Sequence, residues 1–358
     1  MISFKNIENY SKIIGVGTAT QKTFYSQHEV LEIFKIKDRR IRGVFLNGTI
    51  RQRSLNLPFE EQNGINLIET QGELLKKHRD DSLDMGIRAL SSCLEQINAS
   101  PDKVQYLCCV TSTGLLTPGV SALISNKLKL RTDCARLDIV GMGCNAGLNA
   151  LNAVSSWALA NPGKLAILLC VEVCSAAYVF EDSIETAVVN SLFGDGAAAI
   201  AVIANTAPLL QGDAAVLKFT SSLIPDTIDL MQFNWNDDHG KYSFFLDPKV
   251  PYMIGEYSEK IINLLLEGTG LRRSDISHWI VHSGGKKVID SIKVNLGLST
   301  YDLRHTLSIL CDYGNLSSGS FLFSFERLRK ENIIKSGDTG VLMTMGPGST
   351  IETALIRW

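Results

Sequence analysis

Short apolar runs alternate with longer amphipathic segments along most of this 358-residue chain. Each run is rich in branched aliphatic residues, alanine or cysteine and is flanked by glycine or polar residues, a pattern typical of buried strands. Six such runs are YLCCVTS, LDIV, KLAILLCVEV, AAAIAVIA, WIVHSGG and VLMTM. Because helical patterns separate these strands, the alternation predicts the α/β class.

Three longer segments have the periodicity of helices, and we predict helices at residues 82–99, 256–268 and 318–332. The polar, turn-rich stretch FNWNDDHGKYSFFLD predicts a hairpin or flap whose turn lies near His239 and Gly240.

Composition then narrows the classes of function. Hydrophobic residues make up 45% of the chain, which suffices for a well-filled core, yet no apolar run reaches the roughly 18 residues of a membrane helix. The formal net charge of −2 gives no indication of a nucleic acid or a membrane surface as partner. The eight cysteines lie mostly in strand-like runs without the spacing of metal ligands, so we expect reduced thiols, no metal and a cytoplasmic location.

The two halves of the chain resemble each other. YLCCVTSTG and HWIVHSGG both read as a strand followed by a polar turn, and they align with Thr111 opposite His282, an offset of 171 positions. The same offset places Cys144 opposite Asn315, and each of these two residues precedes a helical pattern. Two equal offsets in the same order indicate a duplicated unit.

A third pair supports the duplication, since FGDGAAAIAV and MGPGSTIETAL both place a glycine loop before a strand. Here Gly194 aligns with Gly346 at an offset of 152. Residues 204–215 have the composition of a joint, so we predict an N-terminal half at 1–208 and a C-terminal half at 209–358. Pseudo-twofold symmetry would bring the two helix starts to one shared centre.

The stretch GMGCNAGLNAL places Cys144 between a glycine pair and the first turn of a helix. Free N–H groups and the positive end of the helix dipole at such a junction favour a thiolate, the nucleophilic form of cysteine. Taken alone, the stretch fits a small buried residue at a tight turn better than it fits a nucleophile.

The repeat favours the nucleophile, because it adds a histidine and an asparagine. An imidazole at His282 would keep the thiolate ionised as its ion-pair partner. His282 and Asn315 could then both donate hydrogen bonds to a developing oxyanion, which a carboxylate could not do. The set predicts an enolate formed from a carboxylated thioester by loss of carbon dioxide, without an external base.

Five stretches together identify the family: GMGCNAGLNAL, WIVHSGGKKVIDS, DYGNLSSGSFLF, NSLFGDGAAA and MGPGSTIETALIRW. In this order they resemble the type III polyketide synthases of the thiolase superfamily, and most closely the bacterial 3,5-dihydroxyphenylacetyl-CoA synthases. The resemblance implies a five-layer αβαβα thiolase fold with two pseudo-symmetric halves, a homodimer, and acyl transfer from malonyl-CoA on the triad Cys144, His282 and Asn315. It further implies that four malonyl units form a tetraketide, which closes to 3,5-dihydroxyphenylacetyl-CoA.

The resemblance extends to residues around the cavity. Phe193 and Phe244 match two phenylalanines between the CoA tunnel and the reaction cavity, with Phe245 one position away from the second. Thr117 stands where plant relatives have a residue that crosses the dimer interface into the partner's cavity. The loop of Gly346, Pro347 and Gly348 would shape the cavity beside the nucleophile.

For the CoA tunnel, the resemblance points to four basic residues, Arg51, Arg53, Lys286 and Lys287, although a solvated charged surface explains them equally well. It implies no cofactor, because malonyl-CoA is the substrate and CoA a product. Hydratase-like proteins of the same pathway are the implied protein partners.

Several rival functions fit less well. A degradative or biosynthetic thiolase needs a Cys-x-Gly motif where this chain has MGPGS, and a Cys-His-His ketosynthase needs histidine in place of Asn315. Papain-like proteases have different residues around their cysteine. A KAS III-like ketosynthase, or a type III synthase that makes a pyrone or a resorcinol from an acyl-CoA starter, remains an alternative. A catalytically silent subunit usually lacks a triad residue, and this chain has all three.

Overall fold

The computed structural model describes residues 10–58, 69–179 and 183–358. Numbered in chain order, the strands of these residues are β1 Ser11–Ala19, β2 Phe24–Ser26, β3 Gln52–Ser54, β4 Val104–Thr111, β5 Ala135–Val140, β6 Leu165–Glu172, β7 Gly196–Ala204, β8 Ala214–Leu223, β9 Met231–Asn236, β10 Lys241–Leu246, β11 His278–Val281, β12 Thr339–Gly346 and β13 Thr350–Arg357. The helices are α1 Gln27–Ile33, α2 Arg39–Leu46, α3 Gln71–Gln96, α4 Val120–Leu128, α5 Ala146–Ala160, α6 Ile184–Leu192, α7 Val250–Leu266, α8 Lys286–Leu296, α9 Arg304–Tyr313 and α10 Ser320–Glu331.

The order of the strands is nearly a mirror image about its centre. In the described residues, nine strands pair in the order β11-β12-β13-β8-β1-β7-β6-β4-β5. Outward from the β8–β1 pair, the N-terminal half runs β1, β7, β6, β4 and the C-terminal half runs β8, β13, β12, β11. The parallel pairs β4–β6 and β11–β12 occupy matching places, as do the antiparallel pairs β6–β7 and β12–β13.

Alternate residues of the strands face two different layers, as the pleat of a strand requires. Leu168 of β6 and Leu342 of β12 belong to one buried cluster with the side chains of α5 and α10. Their neighbours face the other way: Ile167 packs in the cluster of α3 and α4, and Val341 in the cluster of α7 and α8. The two halves of the nine-stranded sheet therefore cover the central helices from opposite sides. The layers run helix, half-sheet, helix, half-sheet, helix, which is the five-layer thiolase fold.

The two central helices touch at their first turns. A Cβ atom added to Gly147 of α5 would lie 2.2 Å from the carbonyl oxygen of Ser318, just before α10. Only a residue without a side chain permits this approach, and the approach brings Cys144 and Asn315 to the same end of the central layer.

The structure confirms the α/β class and the hairpin, whose turn occupies residues 237–240 between β9 and β10. Two predicted helices begin earlier than expected. The helix predicted from 82 begins at Gln71, because Thr70 and Glu73 form a capping box. The helix predicted from 256 begins at Val250, where Pro251 occupies a position that needs no backbone donor.

The predicted joint coincides with the connection between β7 and β8, and position 208 lies inside this connection. The boundary between residues 208 and 209 itself stays a prediction.

Candidate active site

Cys144 and Asn315 occupy matching helix starts. Cys144 lies in the short 3₁₀ turn Gly143–Asn145 that leads into α5, and Asn315 precedes the turn Ser317–Gly319 that leads into α10. Gly143 has a φ of +71°, and a Cβ atom there would lie 2.4 Å from the Pro347 ring, so this turn requires glycine.

Hydrogen bonds fix the amide of Asn315 in one orientation. The backbone N–H of Ser317 donates to Oδ1 of Asn315 at 2.8 Å. Since Oδ1 is thereby occupied as an acceptor, the NH₂ group is the part of the side chain that remains to donate. The Asn315 side chain contacts the Cys144 thiol, and the Ser317 hydroxyl lies 3.6 Å from the same sulfur.

His282 follows the last residue of β11. Its backbone N–H donates to Met343 of β12 at 2.8 Å, which extends the pairing of the two strands by one residue. The side chain is only 2% exposed, and Nδ1 is buried without a hydrogen-bond partner among the described residues. Burial lowers the pKa of His282 to about 3, so the ring is neutral at physiological pH.

The thiol is neutral as well. Burial raises the pKa of Cys144 to about 12, although its contacts with Ser317 and Asn315 act in the opposite direction. The buried carboxyl of Glu172 raises this pKa further. Burial thus disfavours the expected thiolate–imidazolium pair in the resting protein, because desolvation penalises the charged form of each group. The thiol proton must move when the sulfur attacks.

A cavity of about 610 Å³ opens directly beside the thiol. Its walls are mainly apolar, and no lysine, arginine or histidine lines it among the described residues. Phe193 and Phe244 stand together at one side, with their ring centroids 5.7 Å apart and their planes at 88°. Phe245, the other candidate for the second phenylalanine, does not line the cavity. Both phenylalanines that the family resemblance indicated, Phe193 and Phe244, therefore line the cavity.

The predicted loop also lies beside the nucleophile. Pro347 and Gly348 line the cavity. Gly346 does not line it and packs against the backbone nitrogen of Cys144, from which a Cβ atom added to Gly346 would lie 2.9 Å away. Thr117 lies on the surface, outside the cavity of its own chain.

Arg53 corrects one expectation, because it cannot reach CoA. Its side chain is fully buried. The guanidinium donates to the carbonyl oxygens of Phe193 at 2.7 Å and Asn190 at 2.5 Å, to the Tyr178 hydroxyl at 2.6 Å and to Gln27 Oε1 at 2.8 Å. Arg53 therefore holds the segment that carries Phe193, and through it the backbone of Asn315, which pairs with the same segment.

The other three basic residues are exposed. Arg51 forms an ion pair with Asp312, and Lys286 with Asp290. Lys286 and Lys287 are the first residues of α8, four and five positions after His282.

Two features escaped the sequence reasoning. Ser317 contacts both the sulfur and the amide of Asn315, and its left-handed φ of +49° is unusual for a residue with a side chain. Its position in the sequence, two residues after Asn315, could have indicated this role.

The second feature is the run KIKDRRIR at 35–42, where Lys35, Lys37, Arg39 and Arg40 are exposed. Helix α2 of this run buries Ile41 and Phe45 in the same cluster as Cys144 and Phe193, so α2 packs on the apolar cluster beside the cavity.

Comparisons with known proteins agree with this geometry. Residues 217–358 match the family "Chalcone and stilbene synthases, C-terminal domain", and residues 62–216 match "FAE1/Type III polyketide synthase-like protein". The 3,5-dihydroxyphenylacetyl-CoA synthase of Amycolatopsis orientalis is 57% identical over 97% of this chain and 94% of its own length. The enzyme of the same name from Streptomyces toyocaensis is 55% identical over 97% and 90%.

The chain belongs to the type III polyketide synthases. Among solved structures, the C-terminal type III polyketide synthase domain of Steely1 from Dictyostelium superposes with a TM-score of 0.88 at 25% identity, covering 97% of this chain and 99% of that one. The type III synthase described here is thus an enzyme with the thiolase fold. In its described residues no cluster of His, Cys, Asp or Glu could hold a metal ion. Nor does any described helix have the length and apolar character to cross a membrane.

Proposed function

We propose that this synthase condenses malonyl-CoA units on Cys144 and closes the resulting tetraketide to 3,5-dihydroxyphenylacetyl-CoA. The observation that carries the proposal is the mainly apolar cavity of about 610 Å³ at the thiol, which no described lysine, arginine or histidine lines, in a chain more than half identical to two synthases of that name. Malonyl-CoA is the substrate in this proposal, and no cofactor takes part.

Loading begins with attack of the Cys144 sulfur on the thioester carbonyl, as its proton passes to the imidazole of His282. A new C–S bond forms, the bond to CoA breaks, and the proton leaves with the CoA thiol. This general-base route replaces the ion pair, because the buried imidazole starts neutral and can accept a proton.

Decarboxylation follows in the same site. The cavity offers no cation to a malonyl carboxylate, and an unpaired carboxylate in an apolar cavity is strongly destabilised. When carbon dioxide departs, the electrons of the broken C–C bond form an enolate, whose oxygen accepts hydrogen bonds from Asn315 and His282. The enolate carbon then attacks the carbonyl carbon of the acyl group on Cys144. A C–C bond forms, the thioester bond to the Cys144 sulfur breaks, and the lengthened chain remains on CoA until it is loaded on Cys144 again.

Ring closure fixes the product. Four malonyl units give a chain with ketones at carbons 3, 5 and 7, and attack of carbon 8 on carbon 3 closes a six-membered ring. Loss of one water makes the ring aromatic and leaves hydroxyls from carbons 5 and 7. Loss of the carboxylate retained from the starter would generate the nucleophilic carbon 8, so the cavity has mainly to orient the chain.

For CoA itself, we propose a basic surface next to Phe193. Arg51, Lys286 and Lys287 remain candidates because they are exposed. The exposed residues Lys35 and Lys37, between α1 and α2, and Arg39 and Arg40, at the start of α2, add four positive charges. Phosphate groups bind such clusters well. The phenylalanine pair would then stand between the CoA arm and the cavity.

A homodimer is part of the proposal, supported by the outer edge of the N-terminal half. β5 is an edge strand whose side chains are largely exposed, and nearby Val140 and Leu115 are 45% and 72% exposed. Unpaired edge strands of this kind readily pair with another chain, and Thr117 lies in the same region. Val140→Lys should produce monomers in light scattering, whereas Val294→Lys, an exposed position on α8, should not.

The pathway partners and the compartment are further parts of the proposal. The expected hydratase-like proteins would act on the thioester product, and the reduced state expected of the cysteines favours the cytoplasm. All eight cysteines are free in the structure.

Incubation of the purified synthase with malonyl-CoA alone tests the function. Mass analysis should show 3,5-dihydroxyphenylacetyl-CoA, or the free acid after later hydrolysis. A pyrone, an alkylresorcinol or a strict need for an acyl-CoA starter would contradict the product while leaving the triad in place.

A further inference from the structure

Three polar side chains behind the nucleophile have buried atoms without hydrogen-bond partners in the described part of the chain. They are His282 at Nδ1, Thr344 at Oγ1, and Asn145 at both atoms of its amide. All three side chains are at most 2% exposed. A buried polar group without a partner costs about 1–3 kcal/mol, so four such atoms in one region of an active site require a reason.

The strand register places His282 beside Thr344. β11 and β12 are parallel, with Val281 opposite Met343, and the bond from the His282 N–H to Met343 extends this register by one residue. Directly paired residues of parallel strands point to the same face, as Ile280 and Leu342 do toward the central helices. The side chains of His282 and Thr344 are therefore neighbours on the face toward the central helices.

The same face leads to Asn145. Gly346 stands two residues after Thr344, about 7 Å along the strand on the same face. A Cβ atom at Gly346 would lie 2.5 Å from Oδ1 of Asn145, so the asparagine amide lies directly over this glycine. His282, Thr344 and Asn145 thus form a continuous polar row, with the thiol of Cys144 next to one end.

We infer that Thr344 is a positioning residue whose hydroxyl binds the Nδ1–H of His282 through one buried water molecule, so that Nε2 is free to take the thiol proton during loading. The Asn145 amide can bind the same water molecule, because a buried water makes two to four hydrogen bonds at such sites. A hydroxyl with a bridging water suits both half-reactions, because both can also turn so that a donor faces Nδ1 when Nε2–H faces the enolate oxygen. This inference rests on the proposed role of His282 as the base.

Thr344→Val tests the inference, because it removes the hydroxyl while keeping the shape. Without an acceptor, a buried Nδ1–H is costly, so the neutral ring should shift toward the Nε2–H tautomer. The nitrogen shifts of ¹⁵N-histidine-labelled protein report this population directly. The rate of Cys144 acylation in a single turnover should fall about tenfold or more, whereas decarboxylation of malonyl-CoA by the loaded enzyme should fall less.

Controls separate this effect from a general loss of structure. Thr344→Ser should restore the tautomer and the loading rate. Thr353→Val removes another buried threonine hydroxyl, on β13, and should change neither. Asn145→Leu should shift the tautomer in the same direction as Thr344→Val, and it provides a second test should Thr344→Val fail to fold.

An unchanged tautomer together with an unchanged ratio of the two half-reactions in Thr344→Val would overturn the inference. That result is distinct from failure of the proposed function, because the wild-type product assay addresses the function without reference to Thr344.

Discussion

The two halves of this synthase have the same strand order but end differently, both at the centre and at the edge. At the centre, one helix start carries a thiol and the other an amide. At the edge, the N-terminal half ends in the exposed strand β5, whereas the C-terminal half, as far as the structure describes it, has no fifth strand and ends at β11. There the Thr306 hydroxyl of α9 donates to the Val281 carbonyl at 2.9 Å and accepts its N–H at 3.3 Å, so this edge is covered.

The difference shows that the two copies of a duplicated unit have acquired different roles in catalysis and in contacts with other chains. The N-terminal half supplies the group that forms a covalent bond and an edge open to another chain. The C-terminal half supplies neutral donors, and its edge is closed by its own helix. Each half alone would leave the chemistry incomplete, because the donors and the nucleophile meet only where α5 and α10 touch.

Cys144→Ala should have the largest effect, since no other group can carry the acyl chain. We expect complete loss of acylation and of product, measured by mass analysis of the intact protein after incubation with malonyl-CoA. Acyl groups found on Cys174, which also lines the cavity, would contradict the assignment of the nucleophile to the first helix start.

Asn315→Ala tests the other helix start. The variant should still load acyl groups but should decarboxylate malonyl-CoA about 10²–10³-fold more slowly, the usual cost of one oxyanion donor. The two rates can be measured separately by acylation in a single turnover and by release of carbon dioxide. Normal values for both would make Asn315 a structural residue and remove the functional meaning of the symmetry.

Gly147→Ala probes the contact between the halves. The new methyl group would meet a backbone oxygen, which cannot move easily, so we expect a loss of about 1–3 kcal/mol in the free energy of unfolding. Gly43→Ala on α2 is the matched control, because its nearest neighbour is the flexible side chain of Asn47 at 3.4 Å. Denaturant unfolding compares the two; equal stability would mean that the central helices can separate without cost.

Stability should also fall with acid, because each half buries a neutral imidazole. Burial lowers the pKa of His282 to about 3 and that of His78, on α3, to about 4. Unfolded histidines bind protons below about pH 6.5, so the stabilisation is complete above that pH and is lost as the pH falls toward 4. Each imidazole contributes about 1.4 kcal/mol per pH unit in this window.

Asp195 opposes part of this trend. Burial raises the pKa of Asp195 to about 6, so its contribution is lost as the pH rises from about 4 to 6. Chemical unfolding at pH 7 and pH 5 should therefore show a net decrease of stability with acid. In His78→Gln this decrease should be smaller, and an identical slope in the variant would contradict the assignment of a neutral His78.

Most of the fold could be predicted because the repeat consists of short sequence patterns, each within a single strand, turn or helix start. The strand and turn at His282 and the helix start at Asn315 each align with a counterpart at one fixed offset. Such an offset can be found in the sequence without any knowledge of how the residues pack. Arg53 could not be predicted in the same way. A basic residue near a proposed CoA tunnel looks exposed in a sequence, and only the packing shows four acceptors around its guanidinium.

The protonation state of the site was also beyond the sequence. The helix start at Cys144 indicated a thiolate, but the balance depends on desolvation, which is set by residues distant in the chain such as Pro347 and Ser317. Helix bounds failed for a simpler reason, as at Gln71, where the capping residues lie outside the apolar pattern that defines the helix.

The neutral resting thiol has a consequence for the lifetime of the enzyme in a cell exposed to peroxide. Peroxide and simple alkylating reagents attack the thiolate, and exposed thiolates are the ones that proceed to sulfenic and sulfinic acids. A sulfur that becomes nucleophilic only when a thioester reaches His282 is protected between turnovers. Iodoacetamide should therefore be a slow inactivator of this synthase, and an electrophile attached to a pantetheine arm a fast one.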